Sequence, residues 1–384
     1  MMTLLFRLES MARNRRPKVI DMFAGVGGLS LGATRAGFDL AAAVEIDKYA
    51  VAAHNRNFPK SRHINSDVSS LTADDLLCQA GLEQGQLTGL IGGPPCQGFS
   101  SIGRRAENDP RNSLFVTFFR FVAQLRPAFF LAENVPGILD DKNNAIREEA
   151  IAALPADYTI LPPITVKANR FGAPTVRTRI FFIGYDPERV RDLTTRDFED
   201  LSGKNDVKVK DALDGIPLLG TVWEGDGWAR VDEPKNTFFG KRLKGLIPPG
   251  VGCEESIKKY KETREASGFQ STVHTLETVT RFTALAHGKA DRISKSVRLN
   301  PSGYCPTLRA GTGPERGSYQ AVRPVHPVSP RVICPREAAR LQGFPDWFQF
   351  DKTKWHAFRQ IGNSVSPIVA EVVLKKIYES LRRP

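Results

Sequence analysis

Cysteine and histidine are both scarce in this chain, with five and six among 384 residues. The cysteines, Cys78, Cys96, Cys253, Cys305 and Cys334, lie far apart and form no C-x-x-C pair. That spacing argues against a zinc finger or a disulfide framework, and no metal site is expected. An odd number of dispersed thiols suits a reducing compartment, so a cytoplasmic location is expected. Long apolar runs are missing as well. The apolar piece within residues 1–16 is broken by Arg7 and Glu9, and is too short for a secretion signal or a membrane span. Those residues read as a basic arm, with Met11 as an alternative start. No internal repeat or low-complexity tract appears, which excludes a solenoid.

What the chain does have is length, apolar content and positive charge. With 384 residues and 41% apolar side chains it can build one large domain and a second, smaller one. The formal net charge is +12. Residues 289–342 hold ten basic side chains, Lys295, Arg298, Arg309, Arg323 and Arg331 among them, against three acidic ones. A polyanionic partner facing this strip is the natural reading, and general solubility the plainer one.

Lys18 to Phe23 is a short apolar run closed by Ala24-Gly25-Val26-Gly27-Gly28. Leu29 to Ala36 then has helical spacing and stops at Gly37. Leu40 to Val44, Arg62 to Ile64, Leu87 to Ile91 and Ala128 to Ala132 read as further strands. Lys48 to Asn57 and Leu114 to Leu125 read as helices between them, and Ile180 to Tyr185 as a last core strand. Strands and helices alternating over short turns predict an α/β fold with a doubly wound, Rossmann-like sheet. The chain divides into a first domain over 17–187, a smaller, irregular domain over 188–345, and a segment over 346–384. Regular character returns near Ile361 to Leu381, as a helix expected to pack back on the first domain.

Polar and acidic residues recur where the strands end, which is where such sheets bind ligands. Gly25, Gly27 and Gly28 let a ligand approach the backbone and a helix N-terminus. The third glycine of a dinucleotide fingerprint is replaced by Ser30, so a ligand without pyrophosphate fits better. Glu45, 17 residues after Gly28, is placed to accept from two ribose hydroxyls, and Asp67 from an adenine amino group. S-adenosylmethionine is the candidate, with a helix cap as the plain alternative for each acidic residue.

The other marked run is Gly92-Gly93-Pro94-Pro95-Cys96-Gln97-Gly98-Phe99-Ser100. A cysteine between a rigid proline pair and a flexible segment suits a nucleophile, although a lone cysteine often serves as a small buried hydrophobe. The basic, glycine-containing stretch from Gln97 to Asn112 is either a closing loop or an ordinary surface loop.

These motifs resemble those of the DNA (cytosine-5)-methyltransferases. The resemblance rests on Phe23-x-Gly25-x-Gly27-Gly28, Pro94-Pro95-Cys96-Gln97, Asp109-x-Arg111-Asn112-Ser113-Leu114-Phe115, Glu133-Asn134-Val135, Arg177-x-Arg179, Arg336 to Pro345, and Gln360-x-Gly362-Asn363-Ser364, in that order. It covers 18–185 and about 300–372, and leaves 190–300 as the variable target-recognition region. The family often has Pro-Gln-x-Arg-x-Arg; here Thr175 stands in place of that Gln, which puts one supporting hydrogen bond in doubt.

The resemblance implies a class I methyltransferase sheet, S-adenosylmethionine as cofactor and duplex DNA as partner. It implies Cys96 as nucleophile, Glu133 on cytosine N3 and its amine, Arg179 on O2, and Arg177 ordering Glu133. A carboxyl in a buried pocket suits a proton-sharing role at N3. Cofactor contacts are implied for Phe23, Ala24, Gly25, Gly27, Gly28, Glu45, Ile46, Asp67, Val68, Pro95, Leu114, Asn363, Ser364 and Val365. DNA contacts are implied for Gln97, Ser100, Arg104, Arg105, Thr307 and Arg309. On the residues alone, Arg336 to Pro345 is an amphipathic core helix and Asn363 a turn residue or cap. Trp223 and Trp228 read as small-domain core. A monomeric bacterial modification enzyme is expected, with a cognate endonuclease in the same system and no direct contact between them. The alternatives are a tRNA cytosine-5 methyltransferase, against which Ser100 after Phe99 counts, a non-catalytic DNA-binding regulator, and a nicotinamide enzyme.

Overall fold

The computed structural model describes residues 16–95, 112–203, 205–218, 227–311 and 322–382. The first domain runs β1 (Lys18–Met22), α1 (Gly28–Ala36), β2 (Asp39–Val44), α2 (Lys48–Asn57), β3 (Arg62–Ile64), α3 (Ala73–Ala80), β4 (Leu87–Gly92), α4 (Asn112–Leu125) and β5 (Phe129–Asn134). It continues with α5 (Asn144–Ala152), β6 (Thr159–Ile160), β7 (Ile164–Lys167) and β8 (Thr178–Tyr185). The sheet order is β3-β2-β1-β4-β5-β8-β6, and β7 follows β6 along the same edge of β8. β1 to β5 pair in parallel, whereas β8 is antiparallel to β5. The chain leaves β1 toward β2 on one side and returns as β4 on the other. The loops after β1 and β4 therefore part at a switch point, where a crevice opens.

Strand alternation splits the core into two layers. Val19, Phe129, Leu131, Phe181 and Ile183 face one side, in one apolar cluster that also takes in Phe239, Tyr260 and Trp347. Ile20, Met22, Phe130, Ala132, Ile180 and Phe182 face the other, under Phe115, Phe118 and Phe119 of α4.

The remainder contains α6 (Thr195–Glu199), α7 (Val209–Leu213), β9 (Trp228–Arg230), α8 (Phe238–Lys244), α9 (Glu254–Thr263), β10 (Glu265–Ser267), α10 (Leu276–Ala284), α11 (Pro335–Gln342), α12 (Lys354–Asn363) and α13 (Pro367–Ser380). The single C-terminal helix expected over 361–381 is two helices. They break at 364–366, because Pro367 lacks an N–H and starts α13 at its first turn. α13 lies against α1 so closely that a Cβ on Gly32 would come within 2.3 Å of the Ala370 Cβ. Among the described residues no helix is long and apolar enough to cross a membrane.

Candidate active site

The loop after β1 turns sharply, with Phe23, Gly25 and Gly27 all at positive φ (61°, 55° and 101°). Its glycines do different work. A Cβ on Gly27 would meet the Phe58 ring at 2.4 Å, and one on Gly28 the Val365 carbonyl oxygen at 2.2 Å. A Cβ on Gly25 would meet nothing within 4 Å among the described residues.

Glu45 follows β2 and is fixed by two backbone donors, Gly25 N–H to Oε2 at 2.9 Å and Asp47 N–H to Oε1 at 2.8 Å. Burial raises its pKa against those two bonds. Ile46 beside it is 65% exposed, an apolar surface available to a ring. Asp67 is exposed and caps the short turn Val68–Ser70 through Oδ1, so the cap expected as the plain alternative is present. Asp47 caps α2.

Beyond β4, Pro94 accepts from Asn134 Nδ2 at 3.4 Å, and Gly93 N–H donates to Met22 O. Pro95 is half-buried. Cys96, Gln97, Ser100, Arg104, Arg105 and Trp223 lie outside the described residues. Gly93, three residues ahead of Cys96, passes so near Glu133 that its Cβ would sit 3.1 Å from Oε2. The loop after β4 and the end of β5 thus converge on one carboxylate.

That carboxylate is paired across the sheet. In the β5–β8 register Glu133 opposes Phe181, so Arg179, two residues earlier on β8, shares its face as a diagonal neighbour. Arg179 Nε lies 2.5 Å from Glu133 Oε1. The resemblance implies that Arg177 orders Glu133; the ion pair seen on this carboxylate is with Arg179. Arg177 is buried and donates to the carbonyls of Leu308, Gly362 and Asn363. It ties the Thr307-Leu308 segment to the end of α12, where a Cβ on Gly362 would collide with the backbone of Arg309 and Ala310. Thr175, standing in the place of the family's Gln, is wholly buried and its hydroxyl has no hydrogen-bond partner among the described residues. Its segment is held instead by main-chain bonds, Cys305 N–H to Pro174 O and Val176 N–H to Cys305 O.

The C-terminal motif residues reach the crevice from below. Ser364 and Val365 are buried against Gly28, Asn363 is exposed, and Leu114 is half-buried at the start of α4. Gln360 links two elements, accepting from Asp351 N–H and donating to Tyr49 O. Gln342 at the end of α11 donates to Ser364 O. Arg309 is exposed and Thr307 half-buried.

The basic strip over 289–342 does not form one phosphate-facing surface. Arg331, Arg336 and Arg340 are buried. Arg331 forks onto Glu337 at 2.7 and 2.9 Å, and Arg340 onto Asp346 at 2.8 Å through both nitrogens. Arg336 donates to the carbonyls of Ser267, Pro345 and Phe348, and Arg298 to carbonyls of α10 and the Pro327–Val328 turn. Arg323 lies over the Phe358 ring, 3.8 Å from its centroid. A guanidinium supplies several donors in a fixed fork, so here it knits irregular backbone together. Lys289, Arg292, Lys295 and Arg309 remain exposed.

The sequence reading passed over a buried polar chain beside the glycine loop, Asp21–Ser30–His54–His63. A signal was present: Asp21 is a charge flanked by Val19, Ile20 and Met22 in β1, and in such a place it needs a partner.

Residues 17–379 match the family model for C-5 cytosine-specific DNA methylase. The chain is 39% identical over 380 residues to the type II methyltransferase M.XorII of Xanthomonas oryzae pv. oryzae, covering 96% of this chain and 86% of that protein. It is 30% identical over 381 residues to the type II methyltransferase M.DdeI of Desulfomicrobium norvegicum, covering 94% and 88%. Among solved structures, a protein assigned as a DNA modification methyltransferase, encoded within an E. coli prophage, superposes with a TM-score of 0.84 at 48% identity, covering 95% and 99%. The S. pombe Dnmt2 methyltransferase shares the fold at a TM-score of 0.61 and 18% identity, covering 95% and 99%.

Proposed function

The chain belongs to the C-5 cytosine-specific DNA methylases, and from that membership we propose how its own residues carry the reaction. It is a C-5 cytosine DNA methyltransferase of the type II restriction-modification kind. Its cofactor is S-adenosylmethionine, whose sulfonium, when bound, supplies the methyl group. Glu45 would hold the ribose, Ile46 would cover the adenine, and Asp67 would accept from its amino group. Gly25 leaves the room this ligand needs, while Phe23, Ala24, Val68, Pro95, Leu114, Asn363, Ser364 and Val365 would complete the walls.

Carbon 5 of cytosine is a weak nucleophile until a thiolate adds at carbon 6. Cys96 would make that bond and turn the ring into an enamine. The negative charge pushed toward N3 needs a partner there, and Glu133, oriented by Arg179, is placed to share a proton with N3 and accept from the exocyclic amine. Arg179 would also offer a donor to O2. Once carbon 5 carries the methyl group it loses its proton, the carbon–sulfur bond breaks and Cys96 leaves as thiolate. None of this reaches a stacked base, so the cytosine must flip out of the duplex. Gln97, Ser100, Arg104 and Arg105 would close over it, and Thr307 and Arg309 would meet the DNA. A cognate endonuclease, action as a monomer, a cytoplasmic location and the three-part division of the chain belong to the same reading.

The observation that supports this reading is the convergence of Gly93, Glu133 and Arg179 at the carboxyl end of the sheet, on the strands beside the β1–β4 switch point. Bisulfite sequencing of DNA from cells expressing the chain tests it. One protected cytosine in a fixed sequence is expected. Unmodified DNA together with methylated tRNA would overturn it.

A further inference from the structure

β1 carries a wholly buried charged residue that the methyl-transfer chemistry does not use. Asp21 is wholly buried two residues before the Phe23 turn, and its Oδ1 has no hydrogen-bond partner among the described residues. Ser30 of α1 donates its hydroxyl to Asp21 Oδ2 at 2.5 Å. The Ser30 hydroxyl oxygen lies 3.0 Å from His54 Nε2 on α2, and His54 Nδ1 lies 2.8 Å from His63 Nε2 on β3, where the sheet ends. His63 is half-buried.

Donor counting gives this chain two registers. In one, His63 donates to His54, His54 to Ser30 and Ser30 to an ionised Asp21. Reversing every bond leaves the proton on Asp21. Burial keeps both histidines neutral, so each has one donor and one acceptor to switch. Burial also pushes the Asp21 carboxyl up to about 7, against the hydrogen bond from Ser30. The other charged group acting on Asp21 is Glu45, whose negative charge pushes the same way and whose carboxylate grips Gly25 N–H. The groups facing this chain are therefore Ser30 from α1, His54 from α2, Glu45 after β2, and His63 with the Ser61 carbonyl at β3. A wholly buried carboxyl with a half-buried one beside the same loop favours the buried one staying protonated until a cation arrives.

We propose that Asp21 is a positioning residue for the cofactor's sulfonium: it holds a proton in the free protein and releases it through Ser30, His54 and His63 when the cation binds. Each hop breaks one N–H or O–H bond and makes the next, and the proton leaves to solvent from His63. The demethylated product lacks the sulfonium charge, so with it bound Asp21 takes the proton back. Substrate is thereby distinguished from product by charge. The proposal rests on the S-adenosylmethionine reading above.

Calorimetric titration of the full-length protein with S-adenosylmethionine and with S-adenosylhomocysteine, in two buffers of different ionisation heat near neutral pH, counts the protons released. More release with the sulfonium ligand is expected. The ratio of the two affinities should also rise roughly fivefold from about pH 6 to about pH 8. In Asp21→Asn the pH-dependent part of that ratio should vanish, leaving only the ligands' own amino-group titration. The proton count on the unaltered protein stands even if that variant folds poorly. Equal proton counts for both ligands, with the ratio moving alike in both proteins, would overturn the proposal while leaving the cofactor reading intact. Failure to bind either ligand would remove the cofactor reading itself.

Discussion

Gly28 and Val365 touch so closely that one added methyl group on the glycine would sit 2.2 Å from the valine's carbonyl oxygen. The contact joins the start of α1 to the segment between α12 and α13. It makes Gly28 a packing residue as much as a ligand-loop residue. Gly25, three residues earlier, has room for a methyl group among the described residues. Gly28→Ala should therefore lower stability by about 3 kcal/mol through overpacking. Gly25→Ala should cost only about 1 kcal/mol, from its positive φ, yet weaken S-adenosylmethionine binding more than about tenfold. Thermal melts and cofactor titrations on the two variants separate these outcomes.

The Glu133–Arg179 pair predicts a loss of chemistry with binding retained. Glu133→Gln keeps the shape but removes the charge facing Arg179. Methyl transfer should fall roughly 100- to 1000-fold, and cofactor affinity should hold within about twofold. Single-turnover transfer assays with parallel cofactor titrations measure both. Full activity in Glu133→Gln would remove this residue from the mechanism.

Much of this site was legible in the sequence because its parts sit at strand ends, where turn residues and carboxylates stand out. The Phe23–Gly28 turn, Glu45 and the apolar β4 were all readable that way. The pairing of Glu133 with Arg179 was not, because it depends on β8 running antiparallel to β5. Antiparallel register places Arg179 on the Glu133 face, and a strand's direction leaves no mark in its apolar pattern. The basic strip misled for a related reason. Charge counts do not tell a guanidinium that meets solvent from one such as Arg336, which spends its donors on backbone carbonyls.

That distinction predicts a split in the salt dependence of DNA binding. Replacing exposed Arg309 or Lys295 with Ala should reduce the slope of log affinity against log salt by about 1 where the residue meets a phosphate. Arg336→Ala should leave the slope unchanged and lower the melting temperature instead, because three backbone carbonyls lose their donor. Binding isotherms at several salt concentrations, with melts on the same samples, check both halves.

Acid stability follows from His326 and Glu337. Burial takes the His326 ring from its usual 6.5 down to about 4, outweighing the attraction of Glu337. The unfolded chain then binds the proton first, so stability is full above about pH 6.5 and falls by about 3 kcal/mol on the way down to pH 4. For Glu337, burial acts upward, but the hydrogen bonds and charge of Arg331 hold it below the usual carboxylate range. Its stabilisation is present above the unfolded value and is lost at still lower pH, as its own depressed value is crossed. Relative to His326→Gln, the melting temperature of the unaltered protein should rise with pH between about pH 4 and 6.5, because the difference between the two isolates the His326 contribution from carboxyls such as Asp21 that titrate the other way.

The central claim is that Cys96 bonds to carbon 6 of a flipped cytosine while carbon 5 is methylated. A duplex carrying 5-fluorocytosine at the site found by bisulfite sequencing tests it most directly, since fluorine at carbon 5 cannot leave as a proton does. With S-adenosylmethionine present, a covalent protein–DNA complex linked through Cys96 is expected by mass spectrometry, and none with Cys96→Ser. An equal yield of complex from Cys96→Ser, or methyl transfer by that variant at the full rate, would contradict the account.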